Sequence, residues 1–159
     1  NQGELFISPL DLNIERGQLE QPLKPMIRIG TPVFDKTGKK QGILLLNYLG
    51  EGLLRDFSQV MGPAGSRTWL LNREGYWLKG PTPDLEWGFM RQHPQATITN
   101  YHTQSWNQIL AAEQGQFEDE QGLWSFATVY PLIKGQKTGT KAQKEFSPSH
   151  SDLENSDYY

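Results

Sequence analysis

The chain has 159 residues, a formal net charge of −3 and no cysteine. Missing cysteine excludes disulfides, zinc–thiolate sites, iron–sulfur clusters and thiol nucleophiles, and the mild acidity argues against the basic face of a nucleic-acid-binding domain. Five Trp, six Tyr and seven Phe supply a packed core, so most of the chain is expected to fold. The longest apolar run, Ile43 to Leu46, is strand-sized and far below the ~18 residues that span a bilayer. The sequence opens at Asn1 rather than Met, and we read it as part of a longer protein.

In chain order, Leu5 to Leu12 reads as a strand with Pro9 marking an edge or bulge. Asn13 to Pro25 reads as a polar loop. Met26 to Phe34 is extended, with Ile27 and Ile29 on one face and Met26 and Arg28 on the other. After the turn Asp35–Gly38, Gly42 to Leu49 is apolar on both faces and predicts a central strand. Leu53, Leu54, Phe57, Val60 and Met61 have helical spacing, stopped at Gly62 and Pro63. A second sheet begins at Arg67 with a hairpin about Asn72–Gly75. Pro81 to Pro94 is irregular, with one helical turn at Glu86–Met90. A capping-box pattern, Ser105 to Gln108, opens a helix ending at Gly115. Phe117 and Leu123 to Leu132 form two more strands about Asp119–Gly122. The polar segment 135–159 is expected to be a flexible tail. Three Asp/Asn-x-x-Gly turns and the lack of βαβ alternation predict antiparallel hairpins with short helices, an α+β class.

Signatures of catalysis are missing. His93, His102 and His150 form no metal-binding pair, and no Gly-rich phosphate cradle is present. Lys36-Thr37-Gly38 and Lys137-Thr138-Gly139 echo a β-lactamase element, but its Ser-x-x-Lys is absent. Glu118-Asp119-Glu120 lacks the frame of a calcium loop and reads as a hairpin tip. Asp84 and Glu86 are two loop carboxylates without a nucleophile. No cofactor and no enzymatic activity are expected of this segment. Polar residues in apolar strands carry more information. Arg28 and Asn47 each need a partner, because an unpartnered buried polar group costs about 1–3 kcal/mol. That partner is either internal, such as Asp11 for Arg28, or a ligand. Trp69, Tyr76, Trp77, Trp87 and Trp106 are either core or the wall of a second pocket.

Three stretches together, Ile7–Asn13, Pro25–Asp35 with Gly38, and Gly42–Tyr48, resemble the later half of a Cache module. Cache modules are PAS-like extracytoplasmic sensor domains of bacterial transmembrane receptors. Trp69–Gly75 with Glu86–Met90 resembles the start of the membrane-proximal module of a double Cache domain. The likeness covers about residues 4–133 and is nearest to sensor regions of histidine kinases and diguanylate cyclases. It implies PAS-like antiparallel sheets flanked by helices, in two tandem modules, the first incomplete at its N-terminus. The expected division is 1–52 for the later half of the distal module, 53–66 for a connecting helix and linker, and 67–134 for the proximal module. The family's distal module carries a long helix and further strands ahead of the part matched here. Its proximal module normally runs on into a transmembrane helix.

By the same resemblance, ligands sit in the distal module, and Asn47 stands where amino-acid-binding relatives carry an Asp for the ligand's ammonium group. A neutral Asn argues against an amino acid. Arg28 suits an anionic carboxylate, because its planar guanidinium can bind both oxygens. Candidate ligand-binding residues are therefore Asp11, Asn13, Arg28, Thr31 and Asn47, with Trp69, Tyr76 and Trp87 about a second pocket. The expected function is periplasmic sensing of a small molecule by a membrane-anchored, homodimeric receptor, foremost a histidine kinase. A diguanylate cyclase or a chemoreceptor is the alternative within signalling. Outside it, a carbohydrate-binding module would use Trp69, Trp77 and Trp87 as exposed stacking surfaces.

Overall fold

An alternating strand, β5 (Pro25–Phe34), and one with a continuous apolar run, β6 (Lys40–Leu49), form the centre of the main sheet. The computed structural model describes residues 5–62 and 67–132, with the backbone alone at 137 and 138. β5 and β6 run antiparallel from Met26 opposite Leu49 to Phe34 opposite Lys40, with one bulge at Val33/Phe34. Their turn behaves as its sequence predicts. Asp35 Oδ1 accepts the backbone N–H of Thr37 at 2.8 Å and of Lys39 at 3.0 Å, and Gly38 takes a φ of +83°.

The other edge of β5 carries β1 (Phe6–Ile7) and β2 (Asp11–Leu12), both antiparallel to it. The single strand expected over Leu5–Leu12 is thus split, and the break falls at Pro9, which has no N–H to give the ladder. Ser8 bridges the gap: its N–H donates to the Arg28 carbonyl and its hydroxyl accepts the Arg28 N–H, both at 2.8 Å. Within the expected loop, β3 (Ile14–Glu15) and β4 (Gln18–Leu19) close a minimal hairpin about Arg16 and Gly17. The backbone of Lys137–Thr138 forms β11, parallel to β1. Otherwise the expected tail 135–159 lies outside the described residues.

β6 corrects one expectation. It was expected to be buried on both faces, yet among the described residues it pairs with β5 alone. Ile43, Leu44, Leu45 and Leu46 are between 56% and 65% exposed. The apolar run encodes cover on both faces, and the described residues leave both more than half exposed.

Helix α1, Glu51–Met61, follows directly and ends at Gly62, whose φ is +48°. None of its residues is buried, although Leu54 rests against the core. The next hairpin pairs β7 (Leu70–Leu71) with β8 (Trp77–Lys79). Asn72 Oδ1 accepts the Tyr76 N–H at 2.9 Å, and Gly75 has a φ of +81° where a Cβ would lie 2.9 Å from Ile98. The helical turn expected at Glu86–Met90 is a run of tight turns instead, with Trp87 and Gln92 at φ of +61° and +59°.

Two helices follow, α2 (Ile98–Tyr101) and α3 (Thr103–Leu110), then the hairpin of β9 (Gln114–Asp119) and β10 (Gly122–Ala127). The helix expected to open at Ser105 opens at Thr103, with His102 as its cap. Ser105 does not cap it, because its hydroxyl donates to Asp119 Oδ2 at 2.6 Å. The class is α+β, with mostly antiparallel sheets and a few helices. One buried cluster gathers Leu12, Tyr76, Leu78, Trp87, Phe89 and Met90. Leu12 comes from the segment read as the distal module and the others from the segment read as the proximal one, so the two share a core.

Candidate functional site

Asp11, Asn13 and Arg28 meet on one face of the main sheet. Arg28 Nη1 donates to Asp11 Oδ1 at 2.6 Å and Nη2 donates to Asn13 Oδ1 at 3.1 Å. Asn13 Nδ2 in turn donates to Glu20 Oε2 at 2.8 Å, and Lys24 pairs with the other oxygen of Glu20. The Asp11 side chain is 6% exposed and that of Arg28 25%. Burial pushes the Asp11 carboxyl above its usual range, and the adjacent guanidinium opposes that only in part. The internal partner foreseen for Arg28 is therefore present, and Asn13 joins it. Two of the five guanidinium N–H groups are committed to these partners.

Asn47 lies directly across from Arg28 on β6, so the two side chains share a face. Thr31 stands opposite Leu44, and strand alternation turns it to the other face. The structure thus gathers Asp11, Asn13, Arg28 and Asn47 and sets Thr31 apart. Ser8, Glu20 and Lys24 belong to the same polar network and went unnoticed in the sequence.

The aromatic candidates divide as well. Tyr76 and Trp87 are core residues, both packed against Phe89 with ring centroids 5.4 and 6.2 Å apart. Trp69 belongs to a second cluster in which it contacts Trp77, His102 and Trp124. Trp77 is fully buried, so it offers no stacking surface. Trp69 Nε1, Trp77 Nε1 and His102 Nδ1 are buried without a protein partner.

His102 lies 5.3 Å from both Trp69 and Trp124, tilted against the first ring and edge-on to the second. Burial holds its pKa below the ordinary histidine value, while Asp119 pulls the other way. Asp119 itself is held low by the Ser105 hydroxyl first, then by the Trp124 indole and the Gln121 N–H. Below about pH 6.5, the ordinary histidine pKa, the unfolded chain takes up a proton that folded His102 resists. Stability is expected to fall as pH drops through that range, and His102→Phe should flatten the slope in denaturant titrations between neutral and mildly acidic pH.

Two open clefts flank the shared core. One of about 300 Å³ lies between Gly17–Leu19 and Met90–Gln92. The larger, about 490 Å³, lies between Leu54, Arg55 and Ser58 of α1 and Lys79, Trp87 and Arg91. Among the described residues no group of His, Asp and Glu is arranged to hold a metal, and no helix is long and apolar enough to cross a membrane.

A family model for the sensor domain of bacterial histidine kinases matches residues 1–138. The chain belongs to the bacterial histidine kinase sensor domain family. This sensor domain is similar in structure to the extracellular domain of a protein assigned as the histidine kinase vpHK1S-Z8. The TM-score is 0.63, with 18% identity over 81% of this chain and 46% of that one. It is also similar to a domain assigned to a sensory box/GGDEF family protein from Vibrio parahaemolyticus. There the TM-score is 0.67, with 19% identity over 85% of this chain and 51% of that one. The sensor domain described here thus spans about half the length of these structures, and at such identities the likeness speaks for the fold. No curated protein matches the chain.

Proposed function

We propose that this sensor domain lies on the periplasmic side of the bacterial inner membrane, as part of a membrane-anchored, homodimeric histidine kinase. There it binds a small anionic molecule and passes a conformational change to the output domain. In this reading residues 1–52 are the later half of a distal Cache module, 53–66 the connection and 67–134 the proximal module. The observation that carries it is the pairing of Arg28 with Asp11 and Asn13 on a sheet face that also presents Asn47. Asp11 and Asn13 fix the guanidinium plane, and Asn47 can add an amide to a carboxylate meeting Arg28. A ligand can shift such a receptor only by its differential affinity for two states. The GGDEF-linked neighbour supports a second reading, the same sensor serving a diguanylate cyclase.

A thermal-shift screen of mono- and dicarboxylates on the complete ectodomain tests the site. A true ligand at a hundred times its Kd should add about 2.7 kcal/mol of stability to the native protein. Arg28→Lys keeps a cation beside Asp11 but loses the planar fork, so it should lose most of that shift. Equal shifts in both proteins, or no carboxylate that shifts either, would sink the proposal.

A further inference from the structure

We infer that strand β2, and not helix α1, carries movement between the Arg28 cluster and the Trp87–Met90 turn. This rests on the sensor reading above and names how its site would be coupled to the other half of the fold. β2 is two residues long and each faces a different place. Asp11 holds Arg28 at 2.6 Å, whereas Leu12 is fully buried in the cluster with Trp87 and Met90. The Leu12 N–H also donates to Met90 Sδ at 3.0 Å, across 78 positions of sequence. Neighbouring residues of a strand point to opposite sides, so a displacement of Asp11 displaces Leu12 through one covalent unit.

The receiving turn resists gradual adjustment. Trp87 is a bulky, buried residue in the left-handed region, a conformation that only surrounding structure sustains. At Gly88 a Cβ would lie 2.7 Å from the His93 carbonyl oxygen, so the backbone is closely seated there. Lys79 Nζ holds Glu86 Oε1 at 2.9 Å, and Arg91 Nη1 donates to the Pro83 carbonyl at 2.8 Å, which tie the turn to β8 and to itself. A close-packed turn of this kind changes by repacking rather than by bending. Helix α1 has no buried residue, and among the described residues Leu54 is its one hydrophobic packed against the buried cluster.

The three methionines report on the alternatives. Met26 sits opposite Asp11, Met61 ends α1 and Met90 receives β2. With methyl-labelled methionine, Asp11→Asn and Arg28→Lys should each shift the Met26 and Met90 methyl resonances in NMR spectra and leave Met61 in place. The inference is overturned if Met61 moves while Met90 does not, if Met90 stays still, or if all three move together. Two conservative variants keep the test open should one fail to fold. No ligand is added, so a failure here leaves the carboxylate site to be judged by its own screen.

Discussion

Arg28→Ala is expected to destabilise the fold by about 2–4 kcal/mol at neutral pH, well beyond an ordinary surface change. The loss comes from Asp11. Its side chain is 6% exposed, and removing the guanidinium leaves a buried carboxylate with its cation gone. Breaking one side of a buried pair typically costs 3–5 kcal/mol, and the partial exposure of Arg28 argues for the lower part of that range. The pH dependence has a definite sign. Burial already raises the Asp11 carboxyl above its usual value, and without Arg28 it rises further. A carboxyl raised in the folded state binds its proton more tightly there than in the unfolded chain. The penalty is therefore full above the folded pKa and shrinks as pH falls toward about 4, the ordinary aspartate range. Urea titrations at neutral and acidic pH check this, and an Asp11→Leu/Arg28→Met pair should recover much of the loss. A penalty that grew on acidification would contradict the account. For the same reason Arg28→Ala cannot report on ligand binding alone, and the milder lysine variant serves the screen.

The second large effect concerns β6. A ten-residue strand whose second edge has no partner among the described residues, with exposed leucines on both faces, is a template for association. The 159-residue chain alone should self-associate at micromolar concentration in light scattering. Leu44→Lys with Leu46→Lys should shift it toward monomer while changing stability by roughly 0.5 kcal/mol or less, as for surface sites. In a longer chain that covers this face of β6, both lysines would be buried, each at a cost on the order of several kcal/mol, as expected for an unpaired charge. A monodisperse native chain that the lysines leave unchanged would remove β6 as a sticky edge.

Much of the local architecture was legible because it is encoded locally. Asp35, Asn72 and Asp119 each bond a following backbone N–H, and the glycine three residues on takes a positive φ in every case. The spacing of Leu53, Leu54 and Phe57 located α1. What escaped depends on contacts between distant residues. Ser105 looked like a cap, but Asp119, fourteen positions away, takes its hydroxyl. Leu12 on Met90 spans 78 positions, and no periodicity announces it. The polar cluster was half visible. Arg28 in an apolar strand demanded a partner, Asp11 was a plausible one and Asn13 was named as a candidate, whereas Glu20 and Lys24 lie in a stretch whose polarity reads as ordinary loop and Ser8 in one that reads as plain strand. For β6 the pattern was read correctly as apolar on both faces, but pattern states what a strand needs and not what the neighbouring chain provides.

The three self-bonded turns have one more consequence. Each sets the pairing of its own hairpin, so the alignment of strands is stored in a few Asp, Asn and Gly positions rather than spread along the ladders. A one-residue slip would swap the two faces of a strand, and these turns guard against it. The intervening residues are then free to drift as long as apolar and polar positions keep their order. A fold specified this way needs few fixed residues, and this sensor domain shares its fold with structures at only 18% and 19% identity.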